Sequence, residues 1–208
     1  MFSCIFAKGD STMTELNKLF DFLIEIDKEK SIVRQNYITD GSRKENDAEH
    51  AWHMAVMTLL LSGYANEKID VLRTISMLLV HDLVEIDAGD TYAYDEAAKK
   101  TKEEREKKCA DRIFSMLPES QGWYMRSLWE EFEERKTPEA KFAYTMDHIQ
   151  PLMLNSTTEG KSWKEHGIRL SQVMKRNEHT AEGSEALWEY AYNTFVKPNV
   201  EKGILKDN

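Results

Sequence analysis

Residues 76–90 read SMLLVHDLVEIDAGD, an apolar run that turns into one histidine and four carboxylates: His81, Asp82, Glu85, Asp87 and Asp90. Burying that much charge without compensation costs several kcal/mol or forces neutralisation. A chain that drives a hydrophobic segment into such a cluster therefore has to supply opposite charge, and a divalent cation is a compact way to do so. The preceding stretch, with Leu72, Ile75, Met77, Leu78, Leu79 and Val80, is apolar nearly all round. This predicts a helix from about Asp70 through His81 to about Glu85, placed at the centre of a bundle.

The rest of the chain points the same way. With 4 Pro and 9 Gly in 208 residues, almost no strand-like alternation and apolar residues at helical spacing, the predicted fold is all-α, a single-domain bundle of about seven or more helices. Leu16, Leu19, Phe20, Leu23 and Ile26 form the stripe of a first helix. Residues 31–46 have no helical period and contain an Asp40-Gly41 turn pair, so they are expected to form a loop; Asn46 or Asp47 then caps a helix reaching about Tyr64. The charged segment DEAAKKTKEEREKKCADRIFSML reads as a solvated helix that becomes amphipathic towards Leu117, and another helix covers about Trp123 to Glu134. Thr137-Pro138-Glu139 supplies an N-cap, a first-turn proline and a dipole-matched acid for the next helix, which Pro151 is expected to kink or end. One or two last helices cover about 163–197. Residues 1–12 and 201–208 are expected to be tails around a domain spanning 13–200.

Composition excludes several function classes. A net charge of -9 and a pI near 5.3 disfavour a nucleic-acid backbone or an anionic membrane as partner, though not a small phosphorylated ligand. Cys4 and Cys109 have no CxxC spacing, the N-terminal apolar stretch is too short for a signal sequence, and no run approaches the ~20 apolar residues of a membrane span. A cytoplasmic protein with reduced thiols is the expectation.

Two further candidate ligands lie where helices could deliver them. His50 sits in the first turns of the helix in RKENDAEHAWHMAVM, and Asp147 interrupts an apolar face in AKFAYTMDHIQPLM. Two imidazoles and two carboxylates make a mixed nitrogen and oxygen site for Mn, Fe, Co, Ni, Zn or Mg, with positions left open for water and substrate. His53, one turn from His50, is expected to pack or to sit behind the site; His148, His166 and His179 are expected to be peripheral. Trp52, Trp129 and the Met-rich stretch 54–57 are expected to fill the core, and Asp87 to be exposed or outside the ligand set.

The order His50, His81-Asp82, Asp147 resembles the HD-domain metal-dependent phosphohydrolases. More narrowly, RKENDAEHAWHMAVM, LLVHDLVEIDAGD and LWEEFEERKTPEAKFAYTMD resemble the branch that contains the 5'-deoxynucleotidases, over about residues 13–175. The resemblance implies an HD-type bundle in which His50, His81, Asp82 and Asp147 ligate the metal and Glu85 and Asp90 act beside it. It also implies an arginine for phosphate in the region before His50; Arg34 is the first candidate and Arg43 the second, because a guanidinium matches phosphate bidentately. Helical spacing makes Glu85 the best-placed carboxylate to orient a water and take its proton. The implied activity is hydrolysis of nucleoside 5'-monophosphates, 2'-deoxy forms first, by an enzyme that is a homodimer. A phosphodiesterase or nucleotide triphosphohydrolase of the same superfamily is the alternative, although the chain lacks the additional basic and GYP-type elements of some of those relatives. A nucleotide-binding domain without turnover is a third reading.

Overall fold

The computed structural model describes residues 3–89, 94 and 102–207, with backbone alone for 3–11 and 102–103. Asp90 therefore lies outside the described residues, as does the start of the charged segment at 95–101. The helices are α1 (Ser3–Ile26), α2 (Asp47–Leu61), α3 (Val71–Val80), α4 (Glu85–Ala88), α5 (Lys102–Ser115), α6 (Glu119–Glu134), α7 (Pro138–Thr157), α8 (Lys161–Glu165), α9 (Leu170–Arg176), α10 (Glu185–Ala191) and α11 (Lys197–Glu201), the last two joined by a π-helical turn at Tyr192–Val196. The architecture is the expected all-α bundle. α1 begins inside the expected N-terminal tail, and Leu205, in the expected C-terminal tail, is buried.

α7 is the spine. Thr137 caps it, its hydroxyl accepting from the Ala140 N–H at 3.2 Å, and Pro138 opens its first turn. The helix does not stop at Pro151 but continues to Thr157. Proline there removes one N–H, the one that would have bonded the Asp147 carbonyl, and burial of Met146, Ile149, Leu152 and Leu154 outweighs that loss. α3 packs between α2, α6 and α7, burying Met77, Leu78 and Val80 against Met54, Leu128, Phe142 and Met146.

Three further expectations about the elements need correction. α3 is not enclosed on every side: Leu72 is 74% and Leu79 47% exposed. Nor does it run on to Glu85; it ends at Val80, and residues 81–84 form a tighter turn in which the Leu83 and Glu85 N–H groups bond the carbonyls of Val80 and Asp82, before α4 begins. Residues 33–46 hold an antiparallel hairpin, β1 (Val33–Tyr37) with β2 (Lys44–Asn46). Its turn uses the Asp40-Gly41 pair: Gly41 takes a φ of 69°, open to glycine without strain, and its N–H bonds the Ile38 carbonyl at 2.8 Å.

Candidate metal centre

The site is built from the ends of helices. Asn46 caps α2 with a capping box: its side chain accepts from the Glu49 N–H at 2.9 Å, and the Glu49 carboxylate accepts from the Asn46 N–H at 3.1 Å. His50, one turn further, is fully buried. His81 follows the last residue of α3, and its Nδ1–H donates to the Leu78 carbonyl at 2.9 Å while its ring packs on Phe132, centroids 4.8 Å apart. The Nε2 of His81 is thereby aimed away from the helix, buried and without a hydrogen bond. α7 delivers Asp147, whose Oδ1 lies 3.0 Å from His50 Nε2 and 4.0 Å from His81 Nε2. One ligand atom each from His50, His81 and Asp147 lie within 4.8 Å of one another.

The tautomer of His50 is set from behind. The Gln150 amide N–H donates to buried Glu45 Oε1 at 2.7 Å, which turns the amide oxygen towards His50 Nδ1 at 3.0 Å. Nδ1 must then carry the proton, so the Nε2 lone pair faces the Asp147 carboxylate across 3.0 Å. Two acceptors at that distance repel unless a cation lies between them. With the buried Nε2 of His81 beside them, the donor set fits a divalent ion of mixed nitrogen and oxygen preference.

Asp82 adjoins this group without being one of the three mutually close ligands. Its Oδ2 lies 3.0 Å from His81 Nε2 and accepts from Arg34 Nη1 at 2.8 Å; the same nitrogen donates to Asp47 Oδ1 at 2.9 Å. The electrostatics describe a site short of positive charge. Burial pushes His50 down to about 4, helped by the Arg34 charge, so it is neutral at pH 7. Burial also opposes charge on His81, yet Asp82 and Asp147 outweigh it and raise it to about 9. Without an ion, the site therefore takes up a proton. Asp82 and Asp147 are both held well below the usual carboxylate range; burial works against this, but His81 and Arg34 for the first, and His148 and His50 for the second, prevail.

The centre opens into a cavity of about 830 Å³, lined among others by Arg34, Glu85, Trp129, Tyr144, His148 and Arg176. Glu85, buried in the first turn of α4, reaches this cavity beside His81 and Asp82. Arg43 does not: it is a surface residue held by both oxygens of Glu49, at 2.8 and 2.5 Å. Asp87 is exposed and paired with Arg112. His53 accepts from Gln150 at 3.3 Å behind His50. Trp129 is buried as expected, whereas Trp52 is 64% exposed.

Sequence reasoning missed four residues around the centre. His148 is buried, with Nδ1 donating to the Tyr144 carbonyl at 2.9 Å and 3.2 Å from Asp147 Oδ2, while its ring stacks on Tyr144. Arg176 reaches within 4.0 Å of Asp147 from the end of α9. Gln150 and Glu45 hold His50. Only Gln150 left a signal, a polar residue three positions after Asp147 in an apolar helix.

Comparison with known proteins gives a consistent picture. A model of the HD domain family matches residues 26–188. The chain is 31% identical to the 5'-deoxynucleotidase HDDC2 of Xenopus laevis over 148 residues, 71% of this chain and 72% of that protein. It is 29% identical to the human protein of that name over 142 residues, 68% of each. Among solved structures, a predicted metal-dependent phosphohydrolase from Magnetospirillum magnetotacticum MS-1 superposes with a TM-score of 0.88 at 47% identity, covering 93% of this chain and 96% of that one.

Proposed function

This chain belongs to the HD-domain family, and from that premise we propose that it is a divalent-metal-dependent phosphomonoesterase hydrolysing 2'-deoxynucleoside 5'-monophosphates to nucleoside and phosphate. The observation that carries the reading is the convergence of His50 Nε2, His81 Nε2 and Asp147 Oδ1 at a cavity that Arg34 and Glu85 also line.

In this reading His50, His81 and Asp147 hold the ion, with Asp82 completing the set. The imidazole pair favours a first-row transition ion over Mg²⁺. When bound, the ion supplies Lewis acidity to a phosphoryl oxygen and acidifies water. Glu85 orients the attacking water and takes its proton. The Arg34 guanidinium, fixed by Asp47 and Asp82, draws the phosphate dianion into the cavity, and Arg176, which also lines it, adds a second positive charge. Asp90 acts beside the ion, as the family resemblance implies. Arg43, paired with Glu49 and outside the cavity lining, is given no phosphate contact in this reading.

We further propose a cytoplasmic homodimer with no nucleic-acid partner. Supporting the dimer is an unpartnered apolar stripe, Met13, Leu16, Phe20 and Leu23 on α1, all exposed. Among the described residues no helix is long and apolar enough to cross a membrane, and Cys109 is a free thiol.

The test is a product assay of purified protein with Mn²⁺, Co²⁺ or Mg²⁺ against deoxynucleoside mono- and triphosphates. Inorganic phosphate from monophosphates is the expected product. Release of pyrophosphate or triphosphate, with none of phosphate from monophosphates, would overturn the assignment. Nucleotide binding without hydrolysis under any of these ions would reassign the chain as a binding domain.

A further inference from the structure

The cavity extends beyond the ion along α7. Asp147, His148, Pro151, Leu152 and Asn155 form one stripe lining it, and at 1.5 Å rise per residue Asn155 stands about 12 Å along the axis from Asp147. β1 lays out the same gradient: Arg34 bonds Asp82 at the ion end, and Asn36, two residues on and roughly 7 Å further, lines the same cavity. α7 and β1, which pack against each other, thus deliver a carboxamide each to the end remote from the ion.

There the two amides meet. Asn155 Nδ2 donates to the Pro151 carbonyl at 3.0 Å and to Asn36 Oδ1 at 3.1 Å. A backbone carbonyl can only accept, so the sense of the Asn155 amide is fixed, and that of Asn36 follows. Asn155 is 4% exposed, and its Oδ1 is buried with no hydrogen-bond partner. Asn36 Nδ2 donates to no group among the described residues. An unpaired buried acceptor is costly for the fold, and the residue that carries this one is among those lining the cavity.

Deepening the nucleotidase reading and resting on it, we propose that the Asn36–Asn155 amide pair reads the nucleobase. Asn155 Oδ1 accepts an N–H from the base edge, and Asn36 Nδ2 donates to the acceptor beside it. Every base carries a donor next to an acceptor on its pairing edge, and a carboxamide is a matching partner for that pattern. An uncharged pair suits a heterocycle rather than a second phosphate. The distance from Asp147 places it at the far end of a nucleotide whose phosphate lies by the ion.

The experiment compares deoxynucleoside 5'-monophosphates with 2-deoxyribose 5-phosphate, which keeps the scissile ester and lacks the base. In Asn155→Leu, and separately in Asn36→Ala, the ratio of kcat/KM for nucleotide over sugar phosphate falls roughly tenfold to a hundredfold, mainly through KM. Asn36 is only partly buried, so its variant keeps the test available if Asn155→Leu fails to fold. A proportional loss on both substrates, leaving the ratio unchanged, overturns the proposal and leaves the pair as a tie between β1 and α7. Calorimetric binding of dAMP and 2-deoxyribose 5-phosphate to the Mn²⁺-loaded protein separates this from the fate of the phosphatase reading. A preference for dAMP that the variants remove, without any turnover, keeps base recognition and rejects the hydrolase; no preference overturns base recognition whether or not phosphate is released.

Discussion

His50 owes its usefulness as a ligand to atoms that never touch the ion. Its Nδ1–H is held by Gln150, whose own N–H groups are committed to Glu45 and His53. Gln150→Leu removes that tether and leaves the tautomer unfixed, and such outer partners are worth roughly 10–100-fold in metal affinity. Competition with a chromophoric chelator measures this, and ¹⁵N shifts of the His50 ring should show loss of the single Nδ1–H form. Glu85→Gln separates binding from chemistry: metal content is kept while turnover falls roughly 10²–10⁴-fold, and unchanged turnover would remove Glu85 from the proton-accepting role. At this scale sequence reveals residues whose type is chemically out of place. His81 and Asp82 end an apolar run and Asp147 interrupts one, so they stood out. His148 did not, because one helical position is about 100° of rotation and nothing in a linear string shows that its ring folds back on Tyr144 beside Asp147. Arg43 and Arg34 are indistinguishable as letters; only the hairpin decides that one meets Glu49 and the other Asp82.

α7 carries Asp147, His148, Gln150 and Asn155, so its fixation matters more than that of any other helix. Gly183 sits directly against it: a Cβ there would strike the Lys141 carbonyl and the Thr145 hydroxyl, which itself donates to the Thr180 carbonyl at 2.8 Å. Since the obstacle is helix backbone, Gly183→Ala should cost about 1–3 kcal/mol by forcing the segments apart. Urea denaturation reads that loss, and a variant as stable as wild type would show that the contact yields. The elements that sequence exposed are those with local causes. Thr137-Pro138 started α7 and Asn46 started α2, because caps act over three residues. The hairpin stayed hidden because β2 is only Lys44–Asn46 and β1 alternates too weakly to show a period; the Asp40-Gly41 turn was its one local sign. The break after Val80 stayed hidden for another reason. Leu83 and Val84 are both buried, so the apolar pattern continues unbroken through a turn whose geometry answers to the site rather than to the sequence around it.

For the whole molecule, the centre acts as a charge sink that other parts of the fold feel. Glu29 is buried with Oε1 lacking a hydrogen bond, and burial, reinforced by Asp82 and opposed by His81 and Arg34, pushes it from 4.5 up to about 7. A carboxyl raised in this way holds its proton more tightly folded than unfolded. No penalty exists below pH 4.5; as pH rises towards 7 the unfolded chain ionises first and stability falls, levelling off above 7 after a loss of about 3 kcal/mol. Metal-free Glu29→Gln should therefore be more stable than metal-free wild type at pH 8, with the gap closing near pH 4, as urea titrations would show. Metal acts on the same balance from the other side. The ligands come from α2, from the end of α3 and from α7, elements that unfolding separates, so the ion binds the folded state alone and stabilises it by RT ln(1 + [M]/Kd). At a hundredfold excess over Kd this is about 2.7 kcal/mol, or roughly 5–10 °C in Tm for a chain of this size. Calorimetry with Mn²⁺ and after exhaustive chelation should show that shift. Asp147→Ala should abolish it, because Asp147 supplies the carboxylate oxygen that faces both imidazoles, while Asp82 Oδ2 is already bonded by Arg34. A shift of the same size in the variant would place the stabilising ion elsewhere on this acidic surface, and the centre would lose its claim to it.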